Sequence, residues 1–166
     1  MKKKSSGVSN HYILDTLNKL QVSDLFMGVY SCDDINIPLL KRKKEFILVA
    51  NLSPKRTPGS HFVTIVKTLK EEVLYIDSLG QPSFLSKQLF DSLKSLGKKV
   101  TTMNRRPIQA ADSVFCGIFT IYYSIFFDYK RFPIIKNQKA FLKKDLYKND
   151  AICLHNIKKI IKLNPV

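Results

Sequence analysis

Residues 109–127 read QAADSVFCGIFTIYYSIFF, a short polar loop followed by a strongly apolar run. A helix over residues 118–127 would be apolar on nearly every side, which is typical of a helix buried against a sheet. Cys116 lies at the first turn of that helix, where the positive end of the helix dipole favours a thiolate over a thiol. This stretch therefore predicts a fold built around a buried helix that begins at a candidate nucleophile.

Gln109 stands seven residues before Cys116, and its side-chain amide can donate hydrogen bonds to a developing oxyanion. By itself, Cys116 would also fit a small buried residue, and Gln109 an ordinary loop residue. The helix start and the glycine that follows, Gly117, favour the nucleophile. We expect Asp112 and Ser113 to be a turn residue and a helix cap rather than catalytic groups.

A β-hairpin is predicted upstream, because residues 62–66 and 73–76 are β-branched and aromatic runs separated by a polar turn at residues 68–71. A turn centred there brings His61 and Asp77 close to facing positions on one side of the hairpin, with Cβ atoms ~5 Å apart. An imidazole beside a carboxylate is the base and orienter that a cysteine nucleophile needs. The other two histidines lack an acidic neighbour at useful spacing, and we expect them at the surface.

The remaining pattern predicts a single α+β domain over residues 1–166, with a central mixed β-sheet packed by helices and a flexible segment at residues 1–9. No internal repeat or Pro/Gly-rich linker suggests a second domain. Further elements are expected as follows: helices at residues 11–20 and 84–96, strands at 45–52 and 99–103, and two helices within 136–163, the last capped by Asn149 or Asp150.

The chain is strongly basic, with 28 Lys and Arg against 13 Asp and Glu and a net charge of +15. Each basic run alone fits a solvated surface, but together they predict a positive field that attracts nucleic acid through its phosphates. No apolar run reaches the length of a membrane span, so we expect an intracellular protein. The odd count of 3 cysteines argues against a disulfide framework, and Cys32 and Cys153 are expected to be bystanders.

The order His61, Asp77, Gln109, Cys116 resembles the adenovirus-type maturation cysteine proteases (adenain), the viral branch of the clan that includes the Ulp/SENP deconjugating enzymes. The similarity covers residues 17–132 and includes four motifs: FMGVY at 26–30, PGSHF at 58–62, LYIDSLG at 74–80 and QAADSVFCG at 109–117. Their adenovirus counterparts are Phe-Leu-Gly-Thr-Tyr, Gly-Gly-Val-His-Trp, Tyr-Leu-Phe-Glu-Pro-Phe-Gly and Gln-Gly-Pro-Asn-Ser-Ala-Ala-Cys-Gly.

Three departures from the adenovirus pattern stand out. Phe62 replaces the usual Trp after the histidine, and Asp77 replaces Glu, as in the deconjugating branch. Adenovirus enzymes are activated partly by a peptide that is disulfide-linked to a cysteine before the oxyanion glutamine. Residues 97–100 read GKKV in this region and contain no cysteine, so the same covalent activation is not expected.

The resemblance implies an adenain/Ulp-like fold and a thiol endopeptidase that matures viral capsid precursors by cleaving after glycine-type residues. Cys116, His61 and Asp77 would be its catalytic residues, and Gln109 with the Cys116 backbone N–H its oxyanion hole. No metal is implied, DNA would be an activating polyanion, and a monomer is expected in the host's viral factory or nucleus and in the virion. A virophage or Polinton-like element is the implied source. The alternatives are a ubiquitin/SUMO-like deconjugase and a non-enzymatic basic DNA-binding protein.

Overall fold

Five strands and five helices make up the regular structure of the part of the chain described by the computed structural model, which is residues 7–22, 24–57, 60–80, 87–128 and 144–163. In chain order they are α1 (Asn10–Lys19), β1 (Phe26–Ser31), α2 (Ile37–Lys41), β2 (Phe46–Asn51), β3 (Phe62–Lys67), β4 (Glu72–Ile76), α3 (Lys87–Lys94), β5 (Lys99–Thr102), α4 (Cys116–Phe127) and α5 (Leu146–Leu163).

The strands form one mixed sheet in the order β1-β2-β3-β4-β5. The two outer pairs, β1 with β2 and β4 with β5, are parallel, and the two inner pairs are antiparallel. The inner pair β3 and β4 is the predicted hairpin, whose turn is closed by a hydrogen bond from the Thr68 N–H to the Glu72 carbonyl at 3.0 Å. The predicted α+β class with a central mixed sheet is confirmed.

Helices cover both faces of the sheet, which explains why β2 is buried along its whole length. Ile47 and Val49 point into a core shared with α1, α4 and α5. Phe46, Leu48 and Ala50 point into a second core shared with α2 and α3. The alternation follows from the strand period of two, and burial of each large apolar side chain contributes roughly 1.5–3 kcal/mol.

Helix α4 is the central buried helix that its composition predicts, since residues 117–125 are all buried. It lies against β2 and β3 and contacts α1 and α5. Gly117 lets the Val8 side chain lie directly against the start of this helix, since a Cβ there would meet the Val8 methyl group. Within the described ranges, no helix combines the length and apolar character that crossing a bilayer requires.

The structure corrects the predicted start of the last helix. Because α5 begins at Leu146, Asn149 and Asp150 lie inside it and are buried, so neither caps it. Asp145 takes the capping role, as its side chain accepts a hydrogen bond from the Lys148 N–H at 3.4 Å. Two elements, β1 and α2, were not predicted. Residues 129–143, which include the start of the first predicted C-terminal helix, fall outside the described residues, as do residues 1–6 and 84–86.

Gly80 fixes the turn that follows β4, with φ at +63°. A Cβ at this position would lie 2.5 Å from the carbonyl carbon of Arg106 and 2.7 Å from the nitrogen of Pro107. We expect Gly80→Ala to lower the free energy of unfolding by about 1–3 kcal/mol, measured by urea denaturation. Gly7→Ala is the matched control, because its nearest contact would be an ordinary 3.4 Å. Equal losses in the two variants would contradict the close approach at Gly80.

Candidate active site

The β3–β4 hairpin brings His61 and Asp77 together at the end of the sheet opposite its turn. The ladder pairs Ile65 with Tyr75, and the same register continued to the strand ends sets Asp77 opposite Val63. His61 is therefore the diagonal neighbour of Asp77, and the predicted near-facing alignment is off by two residues. The two side chains still meet, because diagonal neighbours share a face of the pleated sheet and lie within reach of long side chains.

A short hydrogen bond orients the His61 ring. Its Nε2 donates to Asp77 Oδ1 at 2.7 Å, and the Asp77 side chain is completely buried. The same carboxylate oxygen also accepts a hydrogen bond from the backbone N–H of Leu79 at 2.8 Å, and this bond fixes the orientation of the carboxylate beside the imidazole. Because Nε2 is used in this way, Nδ1 remains for the Cys116 thiol, which is hydrogen-bonded to the same ring.

Cys116 and His61 stabilise each other's charged forms, and this shifts the pKa values of both groups. Burial disfavours the imidazolium, but hydrogen bonds to Asp77 and Cys116 outweigh it and raise the pKa of His61 to about 9. Burial also disfavours the thiolate, yet the His61 hydrogen bond and the backbone N–H groups of Phe62 and Gly117 lower the pKa of Cys116 below its usual value. Both pKa shifts favour a thiolate beside an imidazolium, which is the reactive form of a cysteine nucleophile.

The Gln109 side chain is held at both ends. Its Oε1 accepts the Ser78 hydroxyl at 2.6 Å, and its Nε2 donates to the Ser113 carbonyl at 3.0 Å. The Ser78 carbonyl in turn accepts the backbone N–H groups of Ile108 and Gln109, at 2.8 and 3.0 Å. An amide nitrogen carries two hydrogens, so one N–H of Nε2 remains for a further acceptor. Sequence reasoning missed Ser78, although it directly follows Asp77.

The loop before α4 differs from the expectation at Ser113. The N-cap residue is Phe115, and no side chain caps the helix, so the Ser113 cap was wrong. The expected turn is present, closed by a hydrogen bond from the Ser113 N–H to the Ala110 carbonyl at 3.1 Å. Among the described residues, no side chain therefore caps the first backbone N–H groups of α4. The partial positive charge of these groups lies next to Cys116.

Three of the four predicted site residues line one cavity of about 690 Å³: His61, Gln109 and Cys116. Asp77, the fourth, is completely buried behind His61. Residues 7–11 and Leu79 form further parts of the wall. The described residues contain no group of three or more His, Cys, Asp or Glu side chains that could hold a metal ion. The arrangement offers a nucleophile, a base and an amide donor to a ligand in the cavity.

Of the remaining histidines and cysteines, His11 lines the cavity, and one expectation about it needs correction. His11 is exposed as expected, but it pairs with Asp15 one helical turn later, at 3.3 Å, so the statement that it lacks an acidic neighbour was wrong. His155 is exposed. Cys32 and Cys153 are free thiols, and burial raises the pKa of both. Neither thiol lines the cavity.

Two solved structures resemble this one. The central domain of the uncharacterized protein Lpg1148 from Legionella pneumophila matches with a TM-score of 0.58 and 15% identity, over 95% of this chain and 99% of that chain. ChlaDub1 from Chlamydia trachomatis matches with a TM-score of 0.50 and 14% identity, over 97% of this chain and 82% of that chain. No protein-family model and no curated protein sequence matches the chain.

The chain shares their fold. At identities of 15% and 14%, what the three proteins have in common is the arrangement of strands and helices. This likeness agrees with the mixed sheet and helices described above. The position of Cys116, as the first residue of the buried helix α4, is the one predicted from the sequence.

The reactivity of Cys116 should depend on pH through His61. We expect alkylation by iodoacetamide to begin at a pH below the ordinary thiol range, because the imidazolium lowers the pKa of Cys116. The His61→Ala variant loses that charge and keeps the burial, so its alkylation should begin at a higher pH. Mass spectrometry of the Cys116 peptide, followed against pH, measures both profiles.

Cys32 in the same protein is the internal control, since its raised pKa should make it slow in both variants. The alkylation rate of Cys116 in the wild type should change again as pH rises through about 9. At that pH His61 loses its proton, and the thiolate loses the positive charge beside it. Coincident profiles for wild type and His61→Ala would contradict the ion pair.

Proposed function

We propose that this protein is a Ulp-like cysteine protease, with Cys116 as nucleophile, His61 as proton carrier and Asp77 as the group that orients the imidazole. The observation that carries the proposal is the 2.7 Å hydrogen bond from His61 to buried Asp77, with the Cys116 thiol bonded to the same ring. Cys116, His61 and Asp77 come from three separate segments of the chain, and they meet at the N-terminus of α4 beside a cavity. Acyl transfer to sulfur needs this arrangement.

In the first half-reaction, the Cys116 thiolate attacks the carbonyl carbon of the scissile bond, so a C–S bond forms and an electron pair moves onto the oxygen. The resulting oxyanion is met by the free N–H of Gln109 and the backbone N–H of Cys116, each stabilising it by roughly 3 kcal/mol. His61 then passes its proton to the leaving nitrogen, the C–N bond breaks, and a thioester remains on Cys116.

In the second half-reaction, the now neutral His61 accepts a proton from water as the water oxygen bonds to the thioester carbon. The C–S bond breaks, the carboxylic acid product leaves, and the thiolate and imidazolium are restored. Asp77 keeps the ring oriented throughout and stabilises its charged form, as the raised pKa of His61 indicates. The same groups therefore serve both halves of the cycle.

Two substrate classes are favoured by different observations. The motifs around His61 and Cys116 resemble the adenovirus-type proteases, which favours cleavage after glycine in viral capsid precursors, in a particle that also holds nucleic acid. The likeness to ChlaDub1, a deubiquitinase, favours a ubiquitin-like tail that ends in Gly-Gly. Asp77 in place of the adenovirus Glu also resembles the deconjugating enzymes. Both classes present a bond that follows a small residue.

The two substrate classes can be compared directly with the full chain. We expect cleavage of a capsid-precursor peptide containing Gly-x-Gly or of a ubiquitin-like precursor extended beyond its Gly-Gly, detected by mass spectrometry of the products. Cys116→Ala should abolish the cleavage, because the nucleophilic sulfur is gone, with an unchanged circular dichroism spectrum. Cys32→Ala removes a thiol outside the cavity and should keep the activity. Activity retained by Cys116→Ala, or no cleavage of either substrate, would overturn the proposal.

Ser78 and Gln109 should act on turnover rather than on substrate binding. We expect Gln109→Ala to lower kcat by ~100-fold or more, and Ser78→Ala by ~10-fold because the amide loses its anchor, with little change in KM. Ser78→Thr keeps a hydroxyl and should restore most of the rate. Ser95→Ala is the control, since this exposed hydroxyl bonds only to the Ser92 carbonyl among the described residues. A Ser78→Ala effect confined to KM would contradict the positioning role.

A further inference from the structure

A second concave site lies at the hairpin end of the sheet, and we refer to it as the basic hollow. Its volume is about 420 Å³, and its walls are residues 41–44, Lys67, residues 69–71 and Lys98. Residues 41–44 read KRKK, so seven cationic side chains surround the hollow together with one carboxylate, that of Glu71. Such a density of one charge in a concave surface produces a focused positive potential.

Lys67 forms the buried part of the basic hollow. It is the last residue of the central strand β3, pairs with Phe46 and Val73 across its two neighbours, and is only 7% exposed. Among the described residues, no carboxylate forms an ion pair with its ammonium group. The Glu71 carboxylate, which pairs with Lys98, also interacts electrostatically with Lys67, and both lysines lower the pKa of that carboxyl. One carboxylate balances only part of the charge of seven cations, so an anion in the hollow would relieve their mutual repulsion.

Glu71, the acidic side chain at the hollow, is already engaged. Its carboxylate pairs with Lys98 Nζ at 2.6 Å, and both side chains are well exposed. The backbone holds them in place: Glu71 has φ of +59°, and its carbonyl accepts the Lys98 N–H at 2.8 Å. Gly97 permits this approach, since a Cβ there would collide with the Glu71 carbonyl. The wall is therefore built by backbone contacts rather than by mobile side chains alone.

We propose that the basic hollow binds closely spaced phosphate groups, in the form of a compact polyphosphate. A single phosphate would leave most of the seven cations uncompensated, whereas several linked phosphates match both the charge and the volume. Lysine and arginine donate charge-assisted hydrogen bonds to phosphate oxygens, and these are the strongest contacts available to such an anion. The same chemistry is presented by the backbone of a nucleic acid, so the test includes that source.

The basic hollow is separate from the cavity beside Cys116. β3 is 6 residues long, with Lys67 at one end and His61 just before the other, so the two sites are ~20 Å apart. No residue lines both. Binding in the hollow is therefore independent of the proposed proteolysis, and a Cys116→Ser variant should bind the anion as the wild type does.

Isothermal titration calorimetry of the full chain tests the site, with inorganic tripolyphosphate as the probe and citrate as an anion of similar charge. We expect tripolyphosphate to bind and citrate to bind at least ~10-fold more weakly. K43S/K44S removes two exposed cations of the hollow and should lower the affinity for tripolyphosphate by more than ~10-fold. Lys67→Met, which keeps the aliphatic length of the buried side chain, should have an effect of similar size.

K158S/K159S is the matched control, because it removes the same charge from exposed positions on α5 and should change the affinity by less than ~2-fold. A DNA duplex added to the tripolyphosphate complex identifies the source of the phosphates. Displacement from the wild type, with duplex affinity that K43S/K44S lowers when the duplex is titrated alone, assigns the hollow to a nucleic-acid backbone. No displacement assigns it to a free polyphosphate. Equal effects of the two double variants, or equal binding of citrate, would overturn the proposal.

Discussion

The turn after β4 is the constraint on which the candidate site depends. Three of its four residues have separate tasks: Asp77 receives the His61 ring, Ser78 anchors the Gln109 amide, and Gly80 lets the Arg106 backbone pass within contact distance. His61 and Gln109, the proposed base and oxyanion donor, come from segments far apart in the chain, yet both are hydrogen-bonded to this turn. A rigid common support keeps their separation constant, which preorganised catalysis requires.

Local patterns were sufficient to predict the central features of the fold. Two β-branched and aromatic runs around a polar turn located β3 and β4, and the apolar run located α4 with Cys116 at its first turn. These features depend on hydrophobic burial along one element, so the sequence of that element determines them. Elements with weaker patterns were missed: β1 is only half-buried over most of its length, and α2 has 5 residues.

Contacts between distant segments could not be predicted from one sequence. The hydrogen bond between Ser78 and Gln109 spans 31 positions, and that between Tyr147 and Asp112 spans 35. Asp150 was one of two residues expected to cap the last helix, yet it is buried within α5, and burial raises its pKa. The contact of Tyr147 with Asp112 depends on how α5 packs beside the loop before α4, because no local pattern encodes which helix face meets a loop.

The diagonal position of His61 relative to Asp77 limits how the hairpin can change during evolution. Successive side chains in a strand alternate between faces, so one residue gained or lost within β4 would turn the carboxylate towards the opposite layer of helices. A change of two residues would return it to the correct face. Insertions within these strands therefore keep the site only when they add an even number of residues. The turn at residues 68–71 lies at the far end of the hairpin, and insertions there can have any length.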